Sequence, residues 1–169
     1  MLEIINNLTP FIEDCYKEIG VREYSRLCKM SPPTASKILK EFEKEKLLKK
    51  RGERGYLLFR ANRESDILRD LSRIYWKEKL KELIEQINLE LNNPTIILFG
   101  SLSKLETKED SDIDLVVFSR VKIKMNVEKH EKSLKRKIQL FMFQSLYKIN
   151  SKELKTNILN SYIIQGEIK

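Results

Sequence analysis

Apolar residues recur at three- and four-residue intervals through the first half of the chain and gather into short continuous runs in the second. Phe11, Ile12 and Cys15 share one face of a helix predicted over residues 9–18, and Tyr24, Leu27 and Cys28 one face of a second over 22–29. "MSPPTASKILKEFEKEKLL" opens a third. Ser31 suits the N-cap, Pro32 and Pro33 suit a first turn that needs no N–H, and Ile38, Leu39, Phe42 and Leu47 supply a buried stripe. "LLKKRGERGYLLFR" then predicts a hairpin, with strands near 47–50 and 56–60 around an arginine-rich tip. Between residues 64 and 92 the helical spacing returns through Ile67, Leu71, Ile74, Leu80, Leu83 and Ile87, interrupted near Trp76 and stopped by Pro94. One long helix and two shorter ones both satisfy it. Beyond lie three β-rich runs, "TIILFG", "DIDLVVF" and "KIQLFMF", with a basic helix between the second and third and a final helix from about Ser151.

Glycines fall where these elements meet: Gly20 after the first helix, Gly52 and Gly55 in the hairpin turn, Gly100 after a strand, Gly166 near the end. The pattern predicts an α+β / α/β chain. Helices and a hairpin occupy 1–62, a helical connector 63–92, and a small mixed sheet with helices 93–169.

Composition narrows the partners. At 169 residues and 41% apolar content the chain has enough material for packed cores. Its net charge of +8 favours an anionic partner, either nucleic acid or a nucleotide. That charge is localised: residues 29–60 hold ten Lys or Arg against four Glu, while 61–94 hold six against seven acids. The first thirty residues lack signal-peptide order and the apolar runs are too short to span a bilayer, so a cytoplasmic protein with no membrane partner is expected. Cys15 and Cys28 have neither CxxC nor His spacing, which predicts buried helix residues rather than a disulfide or zinc site. His130, within "KMNVEKHEKSLKRK", is expected on a solvated helix face.

The densest chemistry is "LFGSLSKLETKEDSDIDLVVF". Along a strand, Asp112 and Asp114 project to one side and Ile113, Leu115 and Val117 to the other. Two such carboxylates repel unless a cation lies between them, and paired hard oxygen ligands suit magnesium. Gly100 and Ser101 follow the preceding strand, where backbone N–H groups and a hydroxyl can hold phosphate oxygens. For an isolated Asp-x-Asp the ordinary reading is a solvated loop beside a tight turn, but here strand, Gly-Ser, spacer and Asp-x-Asp occur in sequence. "GSLSKLETKEDSDIDL" resembles the signature of the nucleotidyltransferases of the DNA polymerase beta superfamily, especially the minimal nucleotidyltransferase domains, over roughly residues 80–169.

The resemblance implies a two-metal transfer of a nucleoside monophosphate from ATP or another nucleoside triphosphate. Asp112 and Asp114 would bind Mg2+ or Mn2+, and Gly100 and Ser101 the triphosphate. Many relatives carry Arg-Gly shortly after Gly-Ser; here Lys104 and Leu105 follow, so Lys104 keeps the charge without a bidentate fork. The third carboxylate usual on the next strand is matched by Gln139 in "KRKIQLFMF", an amide that cannot act as a base.

"VREYSRLCKMSPPTASKILKEFEKEKLLKKRGERGYLLFR" resembles the winged helix-turn-helix of bacterial and archaeal transcription regulators over most of residues 9–62. This implies DNA as a partner, with Thr34, Ser36, Lys37 and Lys40 facing bases and Arg51 and Arg54 at the wing reaching phosphate or minor groove. A solvated lysine face on an interaction platform is the bland alternative. Three functions stay open: a DNA-targeted nucleotidyltransferase acting on a protein or small-molecule acceptor, a transcriptional regulator with a degenerate nucleotidyltransferase domain, and an antitoxin-like protein with a toxin partner. Residues 64–92 serve a homodimer or interdomain packing equally well.

Overall fold

The computed structural model describes residues 2–53, 55–121 and 123–168; Arg54 lies outside the described residues. The chain divides into two compact units, Met1–Tyr75 with Leu105–Glu109, and Trp76–Lys104 with Asp110–Lys169.

In the first unit, α1 (Glu3–Glu13) buries Ile5, Leu8, Phe11 and Ile12. It begins and ends earlier than the predicted 9–18. The Asp14 carboxylate accepts the Tyr16 and Lys17 N–H groups at 2.9 and 3.1 Å, and this local turn competes with another helical turn. Cys15 is therefore buried in a turn rather than on a helix, its N–H donating to the Thr107 carbonyl at 2.8 Å. Burial pushes its thiol up to about 11. The two-residue strand β1 (Ile19–Gly20) leads into α2 (Val21–Leu27). Tyr24 is buried, with its ring 5.7 Å from that of Phe11 and its hydroxyl on the Asn7 carbonyl. Leu27, expected inward, is 49% exposed, and Cys28 is half-buried at the helix end.

α3 (Pro32–Lys44) starts as predicted, with the Ser31 hydroxyl accepting the Thr34 N–H. Ala35, Leu39 and Phe42 are buried, Ile38 is half-buried, and Leu47 is buried beyond the helix end. β2 (Leu48–Glu53) and β3 (Tyr56–Ala61) form an antiparallel hairpin, and β1 adds to β3 in the order β1-β3-β2. β1 is too short to show in an alternation pattern. The long apolar stripe resolves into α4 (Asp66–Lys79) and α5 (Lys81–Glu90), which break at Leu80 rather than near Trp76.

The second unit is built on a mixed sheet: β4 (Thr95–Phe99), β5 (Ile113–Phe118), β6 (Ile138–Phe143) and β7 (Tyr162–Gln165), ordered β6-β5-β4-β7. β5 and β6 run parallel; the other pairs are antiparallel. β4 and β5 read as continuous apolar runs because both faces are covered, from Ile96 to Phe99 and from Leu115 to Val117. α6 (Gly100–Lys104) follows β4, α7 (Glu128–Leu134) precedes β6, and α8 (Lys152–Leu159) starts at a Ser151 cap on Leu154 N–H. One core face gathers Ile97, Phe99, Val116, Ile149 and Ile158. β7 was not predicted, since "YIIQ" is too brief to stand out after a helix. Among the described residues no helix is long and apolar enough to cross a membrane.

Candidate functional site

β4 is apolar to its last residue, and the chain leaves it through Gly100 at φ +71°. A Cβ here would stand 2.2 Å from Asp114 Oδ2. Glycine is thus required both for the left-handed backbone and for space. In sheet register Asp114 sits opposite Phe99 on β4 and beside Gln139 on β6. Asp112 lies two residues earlier, just ahead of β5, and Gln139 Nε2 donates to its Oδ2 at 2.8 Å. Both aspartates are half-buried.

Burial raises the Asp114 carboxyl above its ordinary value, and the negative charge of Asp112 raises it further. The bend, the two acids and the amide therefore form one cluster at the end of β4 and the beginnings of β5 and β6. Ser101, in the first turn of α6, is half-buried beside Gly100. Lys104 points its amine to Asn157 Oδ1 of α8 at 3.4 Å.

Three supporting residues escaped the sequence reading. Ser103, fully buried, donates its hydroxyl to the Gly100 carbonyl at 2.9 Å and fastens the bend. Its position three residues after the glycine was the available signal. Arg136 donates to the carbonyl of Ser111, the residue before Asp112, at 2.7 Å while its guanidinium lies 5.3 Å from the Trp76 ring centroid. Nothing in "KRK" distinguishes it from its basic neighbours. Asn157 became visible only once α8 was placed against Lys104. His130, expected to be solvated, is buried, with Nε2 2.7 Å from Gln86 Oε1 of α5.

Among the described residues no group of three or more His, Cys, Asp or Glu side chains gathers as a metal cage. Two carboxylates alone still suit magnesium or manganese, because these ions take one or two protein oxygens and complete their shell with water and substrate phosphate. The donor set fits that ion.

In the first unit, Thr34, Lys37 and Lys40 of α3 are exposed and Ser36 is half-buried. Arg51 lies within β2, and its guanidinium is engaged by Glu18, with Nε–Oε1 at 3.1 Å and Nη2–Oε2 at 2.5 Å, and by Glu53 at 2.9 Å. Its charge is compensated rather than presented alone. Arg54 lies outside the described residues.

The family model of the nucleotidyltransferase domain matches residues 77–164, just over half of the chain, and the chain belongs to that family. The match runs from the end of α4 into β7 and so takes in the whole cluster. No curated protein and no solved structure matches the chain.

Proposed function

We propose that the protein transfers a nucleotidyl group from a magnesium-bound nucleoside triphosphate to a protein or small-molecule acceptor, and that its first unit is a winged helix-turn-helix that carries this chemistry to DNA. The observation that carries the transferase reading is the Asp114 carboxylate lying against a glycine bend that admits no side chain, with the charge of Asp112 felt beside it. The two aspartates hold the metal, and the Gly100 backbone with the Ser101 hydroxyl orients the triphosphate. The bound ion supplies charge neutralisation and Lewis-acid polarisation. An acceptor oxygen bonds to the α-phosphorus as the α–β anhydride breaks, pyrophosphate leaves, and the acceptor proton passes to solvent. Gln139 orients Asp112 through its amide but takes no proton, so acceptors of low pKa react best.

Gln139 also favours a second reading, nucleotide binding without transfer, in which the domain senses a triphosphate. Incubation with each labelled triphosphate, Mg2+ or Mn2+, and candidate acceptors separates the two. Pyrophosphate release above that of Asp112→Ala with Asp114→Ala supports transfer. Manganese-dependent binding with release equal to that control supports the sensor.

The capped α3 with exposed Thr34, Lys37 and Lys40, preceded by α2 and followed by the β2–β3 hairpin, supports the winged-helix reading.

A further inference from the structure

The sheet of the second unit has a second end, where β4 enters at Thr95 and β5 and β6 finish at Phe118 and Phe143. A cleft of about 830 Å³ opens there. Five residue steps, from Thr95 to Gly100, separate it from the Gly100 bend, about 17 Å at the rise of a strand.

Sheet order fixes where each lining group stands. Gln144 and Ser145 follow β6, Ser119 and Arg120 follow β5, Asn92 and Asn93 precede β4, and Glu167 follows β7. Three strand spacings cover this row, about 14 Å. Charge is divided along it: the exposed Arg120 guanidinium and two serine hydroxyls stand over β5 and β6, and the asparagine amides and the Glu167 carboxylate over β4 and β7. Phe118 adds an aromatic wall, and the Ser119 N–H donates to the Phe143 carbonyl at 2.9 Å, binding the two strand ends together. The carboxyl ends of parallel neighbours are where open α/β sheets receive ligands.

We propose that this cleft is a second ligand site, separate from the aspartate cluster, that takes a nucleoside monophosphate. The phosphate meets Arg120 and the hydroxyls in charge-assisted hydrogen bonds. The base lies toward β4, where amide side chains offer the adjacent donor and acceptor that match a heterocycle edge and Glu167 accepts from an exocyclic amine. The volume is ordinary for a small-molecule pocket. No metal is needed, because the cation is already part of the protein.

The test is calorimetric titration of the full chain in EDTA with AMP, GMP, CMP, UMP and inorganic phosphate. EDTA removes any metal-dependent triphosphate-type binding at the aspartates. We expect saturable binding of at least one nucleoside monophosphate, at least tenfold tighter than phosphate. Arg120→Ala should weaken it tenfold or more and Asn92→Ala severalfold, with unchanged circular dichroism. Asp112→Asn with Asp114→Asn should leave it intact. Failure of all four nucleotides to bind, equal affinity for phosphate alone, indifference to Arg120→Ala, or loss in the aspartate double variant would each overturn the proposal. Because that double variant and the metal-free buffer leave the cleft untouched, the outcome does not depend on whether the transferase reading holds.

Discussion

Asp114 is half-buried beside a second acid, and its titration has a definite sign. Its carboxyl is raised by burial and by Asp112, so the folded state binds a proton more tightly than the unfolded chain does. That contribution to stability is complete below the unfolded carboxylate value and is lost as pH rises through the folded one. Asp114→Asn should therefore raise the melting temperature of the metal-free protein at pH 7 by about 2 °C, a gain that vanishes in acid. Saturating Mn2+ should raise wild type and not the variant. Gln139→Glu has the opposite character. It replaces a donor to Asp112 with a third acid, so the metal-free protein should melt lower while pyrophosphate release rises about tenfold or more if a missing base limits the rate. The aspartates and Gly100 were legible from sequence because period-two geometry and turn chemistry are local. The Glu18–Arg51 pair and the burial of His130 were not, since each depends on a partner brought from 33 or 44 residues away.

Among elements, α3 announced itself most clearly, because Ser31, two prolines and the Leu39–Phe42 stripe all state the same helix. Removing its cap by Ser31→Ala should cost the first unit about 1 kcal/mol, read as a lower denaturation midpoint with an unchanged slope. The strands that escaped prediction, β1 and β7, contain two and four residues and exist because a neighbouring strand offers them an edge. Pattern cannot reveal a strand whose only evidence is its partner. The early start of α1 is a different case: Ile5 and Leu8 extend its stripe, but Asn6 and Asn7 between them and Pro10 after them lower the local helical signal.

For the whole molecule, the net charge of +8 is a statement about partners more than about folding. If α3 meets DNA, log affinity should fall linearly with log salt, and Lys37→Ala with Lys40→Ala should reduce that slope by about 2 in an electrophoretic or anisotropy titration. Arg51→Ala should change it less, because Glu18 and Glu53 already neutralise that side chain.

The chain also crosses between its compact units more than once, since Leu105–Glu109 belongs with the residues before Trp76. Leu105 is fully buried there, the Thr107 carbonyl receives the Cys15 amide, and Lys108 stands 5.5 Å from the Tyr16 ring. This passage is also the tether between the Gly100 bend and the aspartates. Severing the polypeptide before Trp76 would consequently strip the tether of its moorings, and the released 76–169 piece should be nicked by protease within it while the intact chain resists.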